Sequence, residues 1–261
     1  MFSIMLHPAK SVVGRIGTLA ALAALLTPAA ALAGGLPPGL VYLRDIDASI
    51  AQDMRYAGSN NFTGRPLPGY DAAECVLRHE AAEALARVQA DLAAQNLGLK
   101  VYDCYRPTRA VAAFARWAKS ADDRATKRFY PALDKSRLFA DGYIAAHSAH
   151  STGIAVDLTL IARDAAPAPA YDAHAAYGAC TGPVVQRAPD NSLDMGTGFD
   201  CFDEAAHTAS AAITPAQARL RTLLVAAMRK RGFRNYFREW WHFSYGARRE
   251  AQDFAIEVRP H

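Results

Sequence analysis

The sequence lacks a C-x-x-C pair, and its 261 residues include only four cysteines, Cys75, Cys104, Cys180 and Cys201. Because the close spacing typical of thiolate zinc sites is missing, we expect any metal site to use nitrogen and oxygen ligands. The chain also lacks a strong excess of charge, with a formal net charge of +4. That balance argues against nucleic-acid binding and against strong binding to anionic membranes.

No apolar run is long enough for a stable membrane span. The most apolar stretch, residues 16–30, is interrupted by glycine, threonine and proline. It follows Lys10 and Arg15 and precedes an A-x-A motif at residues 31–33, an arrangement typical of a secretory signal peptide. An uncleaved membrane anchor is the alternative interpretation of this segment.

We predict that residues 1–33 are removed as a signal peptide by cleavage after Ala33. Residues 34–261 would then form a single mature domain in the periplasm or outside the cell. The loss of Lys10 and Arg15 lowers the net charge from +4 to +2. An oxidising location favours disulfides between an even number of cysteines.

The four cysteines allow three pairings, and free buried thiols are the alternative. We expect a Cys180–Cys201 disulfide, because it would close the irregular segment between these two residues. Cys75–Cys104 is then the second disulfide.

Residues 154–160, with the sequence IAVDLTL, alternate with a period of two. The pattern predicts a half-buried β-strand whose polar face carries Asp157 between small residues. Gly153 permits the backbone bend that would bring His150 back beside Asp157. An imidazole and a carboxylate side by side are two good zinc ligands, although this spacing alone more often marks a capping or ion-paired aspartate.

A second stretch, EWWHF at residues 239–243, supplies the missing parts of a zinc site. His242 offers a third ligand, and Glu239 offers a carboxylate outside the ligand set that can transfer protons. Residues i and i+3 point to opposite faces of a regular strand, so we expect a bulge, bend or strand start at the acid. The sequence predicts one zinc ion per chain, bound by His150, Asp157 and His242. Taken alone, the stretch also fits a Trp-rich core strand.

The two motifs resemble those of the VanX-type zinc D-alanyl-D-alanine dipeptidases, relatives of the peptidoglycan carboxypeptidases with an H-x6-D…H zinc set. The resemblance covers most of the predicted mature chain and is carried by further segments in order. These are RYAGSNNFTG (55–64), YDCYRPTRAV (102–111) and DMGTGFDCFDEAAH (194–207). The resemblance implies zinc-dependent hydrolysis of the dipeptide D-Ala-D-Ala, with Glu239 as general base and then general acid.

The resemblance also implies residues that contact the substrate. Arg106, which directly precedes Pro107, matches the family arginine that stabilises the tetrahedral intermediate. Asp200 matches the aspartate that pairs with the substrate's ammonium group, and Tyr56 and Ser148 match residues at the same end. We therefore expect a small dipeptide with a free amino group as the partner.

Two other functions are compatible with the sequence. A D,D- or L,D-carboxypeptidase would use the same metal site on peptidoglycan stem peptides, but Asp200 would then lie where the rest of the stem must pass. A non-catalytic zinc-binding domain would have no use for Glu239. We expect His147, His174 and His207 not to be ligands, because three protein ligands suffice for a catalytic zinc. The sequence does not predict the oligomeric state.

Hydrophobic periodicity predicts helices over residues 72–96 and 108–119, and a helix that opens at Thr214. A strand is expected over residues 99–105. Because the strands and helices are interspersed without a βαβ repeat, we predict a single-domain α+β fold, a mainly antiparallel sheet with helices packed to one side.

The segment 162–189 is the main departure from the resembled family. It replaces a compact connection with an Ala/Pro-rich stretch that lacks helical or strand periodicity. We predict a surface insertion pinned by Cys180, which could cover the cleft and change the range of substrates.

Overall fold

The strand predicted from the alternation at residues 154–160 lies at the centre of the main sheet, at Ala155–Ala162. The computed structural model describes residues 1–3, 35–121, 126–247 and 249–257. Apart from its first three residues, the predicted signal peptide lies outside this part of the chain. None of the described helices combines the length and the hydropathy that a membrane span requires.

The described strands and helices follow one another along the chain. The strands are β1 (Leu40–Tyr42), β2 (Ala51–Gln52), β3 (Val76–Arg78), β4 (Leu97–Asp103), β5 (Ala155–Ala162), β6 (Phe233–Asn235) and β7 (His242–Tyr245). The α-helices are α1 (Leu43–Ile46), α2 (His79–Ala93), α3 (Thr108–Ala118) and α4 (Pro215–Lys230).

The main sheet has the strand order β2-β4-β5-β7-β6, and β1 pairs with β3 in a separate two-stranded sheet. The pairs β1–β3, β4–β5, β5–β7 and β6–β7 are antiparallel, whereas β2–β4 is parallel. The short β2 and β4 are connected through α2. This arrangement confirms the predicted α+β class with a mainly antiparallel sheet.

The apolar face of β5 forms the centre of the larger hydrophobic core. Val156, Leu158 and Leu160 belong to one buried cluster with residues of α2 and α4, among them Leu85 and Leu224. The buried side of α3 belongs to a second cluster, which is rich in aromatic residues. Its aromatic members that also line the pocket described below are Tyr56, Phe62, Phe114 and Phe202.

The predicted helix over residues 72–96 is wrong at its start, because α2 begins at His79. Val76 and Leu77 are fully buried and pair with β1 in an antiparallel ladder. Cys75 is also held by a disulfide next to this ladder. Pairing with a distant strand thus outweighs the local helical spacing of Leu77.

The helices predicted at residues 108 and 214 are confirmed. Helix α3 ends one residue before the predicted boundary. Helix α4 has a capping box in which Gln217 N donates to Thr214 Oγ1 at 3.3 Å and Thr214 N donates to Gln217 Oε1 at 2.8 Å. Pro215 occupies the first helical position.

Both predicted disulfides are confirmed. The Cα atoms are 5.3 Å apart in Cys75–Cys104 and 5.5 Å apart in Cys180–Cys201. Within the segment 162–189, the structure has one three-residue 3-10 helix after the end of β5, at Val184–Gln186. Cys180 attaches this segment to the loop that carries Cys201.

Candidate active site

Strand pairing brings the two sequence motifs of the predicted zinc site together. Asp157 on β5 lies directly opposite His242, the first residue of β7. His150 begins a short 3-10 helix, His150–Thr152, which ends at Gly153 with φ +75°. A Cβ atom at Gly153 would lie only 2.7 Å from Leu40 Cδ2, so this tight left-handed bend favours glycine. The predicted bend between His150 and Asp157 is therefore present.

Three potential ligand atoms form a small triangle. His150 Nε2 lies 3.2 Å from Asp157 Oδ1, His242 Nδ1 lies 2.9 Å from the same oxygen, and the two nitrogens are 3.0 Å apart. A tetrahedral zinc ion with bonds of ~2.0–2.1 Å sets its ligand atoms ~3.3 Å apart, so the triangle closely fits such an ion. This is the one group of three metal-binding side chains found within the described ranges.

The hydrogen bond of His150 determines which of its nitrogens faces the triangle. Nδ1 lies 2.7 Å from the backbone oxygen of Cys104 and donates its N–H to it. Nε2 is therefore left with a free lone pair that points toward Asp157 and His242. On His242 the nitrogen in the triangle is Nδ1, and Nε2 lies 3.5 Å from Ser244 Oγ. The two imidazoles thus present different ring nitrogens.

Glu239 lies at the edge of the triangle, just before β7 begins. Its backbone nitrogen donates to Tyr236 O at 3.0 Å, and His242 N donates to Glu239 O at 3.3 Å, so the chain turns before the strand. The bend expected at the acid is present, and the strand itself begins at His242. The Glu239 carboxylate approaches His242 Nδ1 to 3.8 Å. Burial raises the pKa of Glu239 to about 7, which allows proton transfer in both directions near neutral pH.

Arg106 is held by Asp103, a site residue that the sequence analysis missed. Nε and Nη2 of Arg106 donate to Asp103 Oδ2 at 2.9 and 2.8 Å. Tyr70 donates its hydroxyl to the other carboxylate oxygen at 2.6 Å, and His150 Nδ1 lies 3.3 Å from Oδ2. Asp103 is completely buried and connects the arginine to the first candidate ligand. The only local signal was an acid three residues before Arg106.

The guanidinium group of Arg106 is also fixed by aromatic rings. Its Cζ lies 5.0 Å from the ring centre of Tyr56 and 5.1 Å from that of Phe114. Nη1 lies 3.5 Å from Ser148 Oγ, and Nη2 lies 3.7 Å from Asp157 Oδ2. These contacts hold the donors beside the triangle and leave little freedom for the side chain.

Asp200 and Tyr56 line the same pocket. The Tyr56 hydroxyl donates to Asp200 Oδ2 at 2.8 Å. Burial, followed by the negative charge of Asp157, raises the pKa of Asp200 well above its usual range. A cation that enters the pocket would favour the ionised form of this carboxyl group. Ser148 lies nearer to His150, whose backbone N–H its Oγ accepts at 3.2 Å.

All eight predicted site residues line a single cavity of about 230 Å³. They are Tyr56, Arg106, Ser148, His150, Asp157, Asp200, Glu239 and His242. This volume lies below the ~300–1,000 Å³ typical of pockets for drug-sized ligands, so the cavity suits a small molecule. None of residues 162–189, all of which the structure describes, lines it.

Three further histidines, which we expect not to bind metal, lie in separate parts of the structure. His147 is exposed and lines the same pocket. His174 is exposed in the segment 162–189, and His207 packs near Phe237 with ring centres 6.3 Å apart.

Three side chains that could hold a metal ion, a carboxyl group and a fixed guanidinium surround one small pocket, an arrangement that suits hydrolysis at a carbonyl group. Comparison with known proteins agrees. The model of the peptidase M15 family, described as D-ala-D-ala dipeptidase, matches residues 37–168 and 162–258. The chain therefore belongs to this peptidase family.

Curated relatives support the same assignment. A D-alanyl-D-alanine dipeptidase of Enterococcus faecium is 35% identical over 206 residues, covering 78% of this chain and 90% of that protein. The D-alanyl-D-alanine dipeptidase of Streptomyces coelicolor is 34% identical over 204 residues, covering 78% of this chain and 89% of its own. That of Escherichia coli is 32% identical over 204 residues, covering 78% and 83% respectively.

Proposed function

We propose that the protein is a zinc-dependent D-alanyl-D-alanine dipeptidase of the periplasm or cell envelope that acts in cell-wall peptide turnover. The observation that carries the proposal is the His150–Asp157–His242 triangle with Glu239 at its edge, inside a pocket of dipeptide size. The names of the relatives support the substrate. The predicted signal peptide over residues 1–33 and the two disulfides support the location.

The donor set of the triangle favours zinc, because two imidazole nitrogens and one carboxylate oxygen leave a fourth position open. Zinc held by these three residues would supply a Lewis acid, which would lower the pKa of a water toward ~7 and polarise the substrate carbonyl. Glu239 accepts the proton of the attacking water and then gives a proton to the leaving amine. A carboxyl group with a pKa of about 7 suits both steps.

Arg106 stabilises the negative charge that develops on the carbonyl oxygen. Its planar guanidinium can offer two N–H donors in a fixed geometry. Because Asp103 and the two aromatic rings already orient the group, little reorganisation is needed during the reaction. Asp103 is therefore a positioning residue for Arg106, and it also contacts the ring of His150.

The free amino group of the dipeptide is held by Asp200, with Tyr56 orienting the carboxylate. An incoming ammonium group stabilises the ionised form of Asp200, whose pKa burial otherwise raises. We place Ser148 at the wall between Arg106 and His150, where it borders the bound dipeptide. This clamp selects substrates that end in a free amine next to the scissile bond.

Substrate profiling tests the proposal. The purified protein, loaded with zinc, is incubated in parallel with D-Ala-D-Ala and with a stem pentapeptide that ends in D-Ala-D-Ala. We expect rapid release of D-alanine from the dipeptide and little from the pentapeptide. Preferential cleavage of the pentapeptide would instead identify a D,D-carboxypeptidase and overturn the proposal.

A further inference from the structure

A C-terminal segment that the proposed mechanism does not use packs against residues that are close in the chain to Arg106 and His150. We call residues 251–257 the C-terminal strap. Ile256 of this strap is completely buried, and its backbone N–H donates to Gly69 O at 2.8 Å. The ring of Phe254 stacks on Tyr105 with centres 4.0 Å apart. The strap is therefore docked on the domain through both side-chain and backbone contacts.

The strap caps helix α3, which has no cap of its own. Pro107 occupies the N-cap position and has no side-chain oxygen that could accept from the first helical N–H groups. Gln252 O accepts from Thr108 N at 3.3 Å, and Asp253 Oδ1 accepts from Arg109 N at 3.0 Å. The strap thus fixes the start of α3, two residues after Arg106.

Other strap contacts reach the neighbours of further site residues. Phe254 N donates to the Tyr105 hydroxyl at 2.9 Å, and Tyr105 directly precedes Arg106. Gln252 N donates to Ser151 O at 2.8 Å, one residue after His150. Gly69, which Ile256 contacts, precedes Tyr70, the donor to Asp103.

We propose that the C-terminal strap helps Asp103 to position Arg106 for the reaction, with Asp253 as the strap residue that holds the start of α3. Arg106 is followed by Pro107, whose ring restricts the backbone, so the arginine and the first turn of α3 move together. If the cap on that turn is lost, the guanidinium departs from the carbonyl oxygen it must meet. This inference rests on the proposed role of Arg106.

The effect should fall on turnover and not on substrate affinity. Asp200 and Tyr56, which hold the ammonium group, lie on segments with which the strap shares no hydrogen bond among the described residues. We expect Asp253→Ala to lower kcat ~3–10-fold, because the guanidinium would less often occupy the position in which it meets the carbonyl oxygen. KM and zinc content should stay within ~2-fold, because the interaction lost acts in the transition state.

Two matched variants separate the cap from the ion pair. Asp253 also pairs with the Arg109 side chain at 3.0 Å on the surface. Asp253→Asn keeps an oxygen for the cap and removes the charge, so we expect it to recover most of kcat. Arg109→Ala removes the ion pair but keeps the backbone N–H, so kcat should remain at the parental value.

A double-mutant cycle gives the decisive test. Asp253→Ala is measured in the parental protein and in Arg106→Ala, using zinc-loaded full-length protein and D-Ala-D-Ala. If the strap acts through Arg106, Asp253→Ala should have no further effect on the residual rate of Arg106→Ala. An equal loss in both backgrounds, or a lower Tm with unchanged kcat, would overturn the inference. An inactive parental protein would contradict the proposed function itself.

Discussion

Asp200 accepts a 2.8 Å hydrogen bond from the Tyr56 hydroxyl while its own backbone lies in the left-handed region, with φ +56°. A non-glycine residue in that region is strained, and such strain persists only where the surroundings enforce it. Here Phe199 stacks on Tyr102 on one side, and Cys201 is held by a disulfide on the other. The strained backbone aims the carboxyl group into the pocket.

Asp200→Ala tests the ammonium clamp. We expect kcat/KM for D-Ala-D-Ala to fall ~10²-fold or more, because loss of a buried charged partner costs ~2–5 kcal/mol. Cleavage of N-acetyl-D-Ala-D-Ala, which has no ammonium group, should change little. The ratio of the two specificity constants is the measurement. An unchanged preference for the free dipeptide would rule out the clamp and favour the carboxypeptidase alternative.

Removal of the disulfide beside Asp200 tests whether it maintains the strained backbone. We expect the double variant Cys180→Ser/Cys201→Ser to raise KM for D-Ala-D-Ala and to keep its zinc. Its unfolding free energy should fall by ~2–4 kcal/mol, the usual contribution of a disulfide. The matched variant Cys75→Ser/Cys104→Ser should instead weaken zinc binding, since the Cys104 carbonyl accepts from the candidate ligand His150 at 2.7 Å. If both double variants had the same effect on KM and on zinc content, the two disulfides would not have these separate roles.

Substitution of the three candidate ligands tests the metal site. We expect His150→Ala, Asp157→Ala and His242→Ala each to lose zinc on dialysis, because the residues around the site cannot replace a missing ligand. His174→Ala, an exposed histidine outside the pocket, is the matched control and should keep one zinc per chain. Metal analysis of the dialysed proteins is the readout. Full zinc in all three ligand variants would eliminate the site.

An ion cluster formed by Asp190 with Arg55 and with Lys100 of β4 predicts a pH dependence of stability. Burial alone would raise the pKa of Asp190, but Arg55 and Lys100 lower it to about 2. Tyr102 also donates to this carboxylate at 2.7 Å. A carboxylate with a lowered pKa stabilises the folded state above its unfolded pKa of ~3.9, and this contribution disappears as the pH falls through 2.

Asp190→Asn should therefore lower the unfolding free energy by ~2 kcal/mol at pH 6–7, as the size of the pKa shift implies. The difference between the variant and the parental protein should shrink steadily between pH 4 and pH ~2. Denaturant unfolding at a series of pH values measures it. A difference that does not depend on pH would show that the charge of Asp190 does not stabilise the fold.

The proximity of the three candidate metal ligands could be predicted from the sequence because local patterns determine their positions. The period-two alternation identified β5, and Gly153 marked the bend that returns His150 to Asp157. Strand pairing then needed only to bring β7 beside β5. The class of fold could be predicted from the interspersed order of strands and helices. The disulfides could be predicted from the even number of cysteines and the predicted export.

Features that depend on distant contacts could not be predicted in the same way. Asp103 reaches the site through a register shift between Val101 and Asp103, which places it opposite Asp157. The start of α2 depends on the pairing of β3 with β1. The C-terminal strap has no periodicity, and its role becomes visible only when Asp253 is seen at the start of α3.

The most direct test of the proposed mechanism is Glu239→Gln. Glutamine keeps the size of the side chain and can still form hydrogen bonds, but it cannot accept the proton of the attacking water. We predict that the variant retains one zinc per chain while kcat for D-Ala-D-Ala falls by ~10²–10⁴-fold. Zinc content and kcat are measured on the same preparation. Hydrolysis of D-Ala-D-Ala at the parental rate by the zinc-loaded variant would contradict the mechanism.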